Sequence, residues 1–105
     1  MDLDIYNFES EEIASGISEW AAIESPTYNA NAVNKMMDLA ESLMSDMGAD
    51  IVRTPGTGGY GDTLQANFRF EHSFETAGIL ILGHLDTVHL EGTISKELPI
   101  RREGD

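Results

Sequence analysis

The chain has 105 residues, enough for one small domain, and its formal charge is −13 because 19 acidic residues stand against 6 basic ones. Such an acidic surface repels phosphate backbones and anionic lipids, which disfavours nucleic-acid binding and membrane-surface binding. There is no cysteine, which excludes disulfides and thiolate metal sites. The start lacks a signal-peptide pattern and no apolar run reaches the length of a membrane span, so we expect a soluble cytoplasmic protein.

A first helix is predicted in the segment "ESEEIASGISEWAAIES". Ile13, Ile17 and Trp20 recur there at helical spacing, with acidic residues between them. Ser10 is a suitable N-cap, and the helix should end before Pro26, where "ESPTYN" indicates a turn. The acidic side chains of the segment are expected to form a solvated face: Glu11, Glu12, Glu19 and Glu24.

The segment "NANAVNKMMDLAESLMSDMGAD" is the clearest predicted helix. Asn29 or Asn31 can cap it, and Gly48 stands where a left-handed residue is expected after a helix. Its apolar residues follow the i, i+3, i+4, i+7 pattern, which favours a core-facing stripe over a methionine-rich binding groove. The stripe comprises Val33, Met36, Met37, Ala40, Leu43 and Met47.

Three strands are predicted after this helix. The first is "ADIVRT", and the "PGTGGYGD" after it reads as a flexible connection, since it lacks the Lys-Ser/Thr pair of a phosphate-binding loop. The second, "TLQANFRFE", alternates as a half-buried antiparallel strand does. Its predicted inward residues are Leu64, Ala66, Phe68 and Phe70. "HSFETA" is predicted as a turn with a solvated His72, "GILILG" as a strand covered on both faces, and "ISKELPIRREGD" shows no strong period.

Titratable residues follow the third predicted strand in "GHLDTV". Ligands bind at the carboxyl ends of strands in open α/β sheets, and His84 and Asp86, two residues apart, would project to the same side of an extended backbone. An imidazole is a common transition-metal ligand, and a nearby carboxylate can accept its other N–H and fix the ring. The alternative is an incidental His-x-Asp with a local turn hydrogen bond. The residues alone favour the metal-binding interpretation and this alternative about equally. Zinc needs a third ligand, and His89 is poorly placed to be one.

The stretches "ILILGHLDTVHLEGT" and "IESPTYNANAVNKMMDLAESLMSDMGADI" closely resemble the amino-terminal part of the M20 family of zinc-dependent metallopeptidases, in particular its glutamate carboxypeptidase branch. The resemblance covers nearly the whole chain. It implies that His84 binds one of two zinc ions and that Asp86, which orients that histidine, counts as catalytic. It also implies an α/β fold, in which residues 1–105 form the amino-terminal part, with two helices and about three strands, of a zinc-exopeptidase-like catalytic domain with a central mixed sheet.

The reaction implied by the resemblance is hydrolysis of a C-terminal glutamate, or a similar residue, from an N-acyl or small peptide substrate. M20-type N-deacylases, such as acetylornithine deacetylase and succinyl-diaminopimelate desuccinylase, share "HLDTV" and are the alternative within the family. The family's bridging aspartate in "GPG…D.KGG", its later "EE" pair and its lid domain, which mediates dimerisation in many members, do not appear in this sequence.

We therefore expect an amino-terminal fragment that is inactive alone and lacks a tight zinc site. The strand built for burial would keep exposed apolar surface, so the chain should form homo-oligomers or otherwise self-associate through that sheet. A rival from a different class is a small acidic interaction module without metal, in which the His-x-Asp is incidental.

Overall fold

Two helices form where the apolar spacing predicts them. In the computed structural model, which describes residues 8–69 and 78–104, α1 spans Ser10–Ala21 and α2 spans Ala30–Asp46. The N-cap of α1 is Glu9, so the cap predicted at Ser10 is wrong by one position. The predicted cap at Asn29 is confirmed, because its side chain accepts a hydrogen bond of 3.1 Å from the amide of Ala32.

The end of α2 also follows the prediction. Gly48, two residues past the end of the helix, has a φ of 91°, the left-handed conformation that glycine adopts without steric penalty. This residue turns the chain from the helix into the first strand, so the boundary between the two elements is encoded locally.

The core lies on one face of α2. Its buried apolar residues are Ala32, Val33, Met36 and Ala40. The predicted core stripe is therefore confirmed for the first part of the helix, whereas Leu43 and Met47 near its end are exposed. Polar contacts from the strands and their connecting loop reach α2 between Asn34 and Glu41, and the last turn extends beyond them.

The first two predicted strands pair with each other. β1 spans Asp50–Thr54 and β2 spans Thr63–Asn67, and they run antiparallel with Ile51 opposite Ala66. Both strands alternate exposed and half-buried residues, and both contact α2. β2 is shorter than predicted, since Phe68 lies beyond it and is exposed, and Phe70 lies outside the described residues.

Arg53 joins this sheet to α2. Its guanidinium donates to Asp38 at 2.6 Å, to Glu41 at 2.7 Å and to Asp62 at 2.8 Å. These hydrogen bonds, led by those to Glu41 and Asp38, raise the pKa of Arg53. The amide of Gly56 and then Arg53 lower the pKa of the Asp62 carboxyl, and these contacts fasten the loop between the strands to Arg53.

The third predicted strand is wrong for the part of the chain that the structure describes. Residues 78–83 pair with no described strand, and the side chains of residues 79–82 are 79–95% exposed. A strand that is buried on both faces needs strand neighbours and a layer on each side, and the described sheet contains only β1 and β2. The two-stranded antiparallel sheet therefore stands where a central mixed sheet was expected.

The remaining described elements are small. The predicted turn at "HSFETA", with His72, lies outside the described residues. α3, a single turn at Thr93–Lys96, forms in a segment for which the sequence predicted no element. The apolar stripe of α1 stays largely open, with Ile13 and Ile17 exposed and Trp20 half-buried. Across residues 8–69 and 78–104, no helix combines the length and apolar character needed to cross a membrane.

Candidate functional site

The segments that contain "ESPTYN" and "GHLDTV" lie side by side. The amide of Thr87 donates to the carbonyl of Ser25 at 2.8 Å, and the amide of Thr27 donates to the carbonyl of Thr87 at 3.0 Å. These two hydrogen bonds form an isolated parallel bridge between Pro26 and Thr87. The sequence interpretation of "ESPTYN" as a turn missed this pairing. We call residues 24–29 the strap, because they tie down residues 84–94.

Ser25 anchors the strap from the inside. Its side chain is fully buried, and its hydroxyl donates to the carbonyl of Leu85 at 2.7 Å. A buried hydroxyl must be paired to offset its loss of hydration, and this carbonyl satisfies it. The backbone of the residue between His84 and Asp86 is therefore held in place from across the chain.

His84 and Asp86 approach each other as their spacing predicts. The His84 Nδ1 atom lies 3.6 Å from the Asp86 Oδ1 atom, an ion-pair distance when the ring is protonated. The His84 side chain is 92% exposed, whereas that of Asp86 is 31% exposed. The carboxylate is thus the fixed partner, and nearly the whole imidazole is open to an incoming ligand. The pair does not stand at the end of a described sheet strand, contrary to the prediction.

A second side chain holds Asp86. The hydroxyl of Thr27 donates to Asp86 Oδ2 at 2.8 Å, on the opposite carboxylate oxygen from the one that faces His84. The two oxygens are therefore divided between the strap and the imidazole. No local sequence pattern links Thr27 to Asp86, because they are 59 residues apart.

Glu24 is the residue of the site that the sequence interpretation placed wrongly. It was expected on a solvated helix face, yet it follows the end of α1, and its carboxylate accepts hydrogen bonds from the amides of Gly92 at 2.7 Å and Ile94 at 2.9 Å. These backbone donors, with that of Gly92 the strongest, lower the pKa of Glu24. No local sequence pattern signals this role, because Glu24 and Gly92 are 68 residues apart.

The lowered pKa of Glu24 makes the site sensitive to acid. A carboxyl whose folded pKa lies below its unfolded value near 4.5 adds stability above that value, and the contribution is lost as the pH falls through the folded pKa. We expect Glu24→Gln to unfold at lower denaturant concentration than the unaltered chain above about pH 5.5, and the difference should shrink as the pH falls below about 4. Urea unfolding followed by circular dichroism across this range measures it.

Glu19→Gln, on the exposed surface of α1, is the matched control and should leave the midpoint nearly unchanged at every pH. A pH-independent difference between Glu24→Gln and the unaltered chain would contradict the assignment of the effect to the Glu24 carboxylate.

An open cavity of about 350 Å³ borders His84, Asp86 and His89. Most of its lining is apolar, so a bound group would meet hydrophobic walls beside two carboxylates, those of Glu24 and Asp86, and two imidazoles. The principal apolar residues around it are Trp20, Ile23, Met36, Leu85, Ile94 and Leu98. The cavity brings together α1, the strap, α2 and the segment after Gly83.

The described residues do not complete a zinc site. Catalytic zinc takes three protein ligands, and within residues 8–69 and 78–104 no three histidine, aspartate or glutamate side chains lie together as a metal site would require. His84 supplies one imidazole, Asp86 adjoins it, and Glu24 is engaged by backbone amides. His89 borders the same cavity without forming such a cluster.

No protein-family model matches this chain, and neither the curated proteins nor the solved structures provide a match.

Proposed function

We propose that the chain is the amino-terminal part of the catalytic domain of an M20-type zinc exopeptidase. In this proposal His84 is a metal ligand and Asp86 is the catalytic carboxylate that orients it. The reaction is hydrolysis of a C-terminal glutamate, or a similar residue, from an N-acyl or peptide substrate. The observation that supports it is the His84 Nδ1 to Asp86 Oδ1 distance of 3.6 Å beside an open imidazole face.

The chemistry of this pair is that of a histidine prepared to bind a cation. When Nδ1 carries the proton and faces the carboxylate, Nε2 presents its lone pair outward. An incidental His-x-Asp would not need a third residue to fix the carboxylate, whereas Thr27 holds Asp86 from 59 residues away.

The rest of the metal site is proposed to come from residues other than those described. One imidazole and a neighbouring carboxylate hold zinc too weakly to generate hydroxide near neutral pH. The chain alone should therefore have no peptidase activity. The proposal extends to N-deacylation, because M20-type deacylases share the "HLDTV" pattern and hydrolyse the same kind of amide bond.

Zinc titration of the isolated chain, followed by nitrogen-15 NMR, tests this proposal. We expect shift changes centred on His84 with a dissociation constant on the order of 1 mM, far weaker than a complete site. His84→Ala should abolish them, and Asp86→Asn should weaken binding by about tenfold, as loss of an orienting partner does. His89→Ala is the matched control and should leave the response of His84 in place.

Two outcomes would contradict the proposal. Equal zinc responses before and after His84→Ala would show that the imidazole is not the binding group. Hydrolysis of an N-acyl glutamate by the pure, zinc-loaded chain would show that no further ligands are needed.

A zinc-free acidic interaction module is the second candidate. The observation that favours it is the exposed apolar segment at residues 79–82, which is a suitable contact surface for a partner. The same titration separates the two candidates, because the module predicts no response centred on His84.

A further inference from the structure

We infer that Thr27 is a positioning residue that sets the orientation of the Asp86 carboxylate toward His84. Its meaning for catalysis rests on the proposed function, whereas the positioning itself rests on geometry alone. The observation is the division of the two carboxylate oxygens: Oδ2 accepts from the Thr27 hydroxyl at 2.8 Å, and Oδ1 lies 3.6 Å from His84 Nδ1.

An aspartate side chain that is exposed on one side has several accessible rotamers. A hydrogen bond to Oδ2 favours the rotamer in which that oxygen faces the strap, and this leaves Oδ1 directed at the imidazole. Hydrogen bonds to an ionised carboxylate are stronger than those between neutral groups, so one hydroxyl is enough to bias the choice.

The Thr27 hydroxyl has a competing acceptor. The carbonyl of Thr87 lies 3.1 Å from Oγ1, and a hydroxyl directed there would merely reinforce the strap. That carbonyl already accepts the backbone amide of Thr27 at 3.0 Å, and the carboxylate is both nearer and charged. The Thr27 hydroxyl therefore donates its one proton to the Asp86 carboxylate, and the Thr87 carbonyl is satisfied by the Thr27 amide.

Thr27 itself sits on a rigid support. Pro26 before it has a restricted φ, and the bridge between Pro26 and Thr87 holds the backbone on both sides. The side chain of Thr27 is half-buried and β-branched, which restricts its χ1 rotation. Because Thr27 is held in this way, its hydroxyl keeps its position and fixes the Asp86 carboxylate, instead of moving along with that carboxylate.

The test compares the unaltered 105-residue chain with Thr27→Val and Thr27→Ser. Three-bond NMR couplings report the χ1 populations of Asp86 without any metal. We expect Thr27→Val, which keeps the shape and removes the hydroxyl, to lower the ratio of the dominant rotamer to the others by about fivefold. Thr27→Ser should restore the ratio, and Thr54→Val on the exposed edge of β1 should not change it.

A second measurement separates positioning from a purely structural role. Exchange protection of the Thr87 amide, which is bonded to Ser25, reports the integrity of the strap. Protection that persists in Thr27→Val while the Asp86 ratio falls supports the inference. It is overturned if the ratio is unchanged, if Thr27→Ser fails to restore it, or if the protection and the ratio are lost together.

These outcomes are independent of the zinc titration. A fall in the Asp86 ratio in Thr27→Val, combined with the absence of any zinc response at His84, would leave the positioning in place and reject the proposed function. A zinc response at His84 that Asp86→Asn weakens, with no effect of Thr27→Val on the Asp86 rotamer, would support the proposed function and reject the positioning role of Thr27.

Discussion

Replacing Gly61 with alanine is expected to destabilise the chain by about 3 kcal/mol, enough to unfold much of a domain this small. A Cβ atom on Gly61 would overlap the Val33 side chain, lying 2.6 Å from its Cβ and closer still to Cγ1. Val33 is buried in the face of α2 that forms the core, so it has no room to withdraw. The loop between β1 and β2 would have to move off the helix.

Urea unfolding measures this effect, and Gly16→Ala is its matched control. Gly16 lies inside α1, and a Cβ there meets no atom within 4 Å, so that substitution should stabilise the chain by about 0.5–1 kcal/mol through helix propensity. Gly61 does not have a positive φ, so its substitution tests close contact rather than backbone strain. Equal unfolding midpoints for Gly61→Ala and the unaltered chain would show that the loop is not seated on α2.

The exposed segment at residues 79–82 is expected to make the chain self-associate. Four consecutive large apolar side chains are 79–95% exposed there, and such surface is removed from water when copies associate. The charge of −13 opposes this, so association should strengthen as salt screens the repulsion. Analytical ultracentrifugation over a range of concentration and salt measures it.

The double substitution Ile79→Ser with Ile81→Ser should raise the dissociation constant for self-association by at least about tenfold, because serine removes most of the apolar surface at each position. Met47→Ser, at another exposed apolar position that follows α2, is the control and should associate as the unaltered chain does. A chain that stays monomeric at high concentration and high salt would reject the expectation.

The parts of the fold that depend on neighbouring residues could be predicted from the sequence. The stripe on α2, its cap at Asn29 and the glycine after it each follow from a few adjacent positions. The alternation in "TLQANFRFE" likewise predicted a half-buried antiparallel strand, and the structure pairs β2 with β1 in that direction. The burial predicted for residues 79–82 is wrong, since burial requires partners that a local pattern does not specify.

Only part of the candidate site could be predicted from the sequence. The proximity of His84 and Asp86 follows from a spacing of two residues, and the structure confirms it. The contacts of Glu24 with Gly92 and of Thr27 with Asp86 join residues separated by 68 and 59 positions. No periodicity operates over such separations, so only the structure reveals the roles of Glu24 and Thr27.

The strap has a consequence for the order in which the molecule assembles. Arg53 reaches its partners across 9–19 residues, whereas the strap closes on residues 84–94 across about 60–70. Closing the longer loop costs more chain entropy, so the α2–hairpin unit can form early and the strap docks last. Transient opening of that final contact would disconnect His84 and Asp86 from their support while α2, β1 and β2 stay folded.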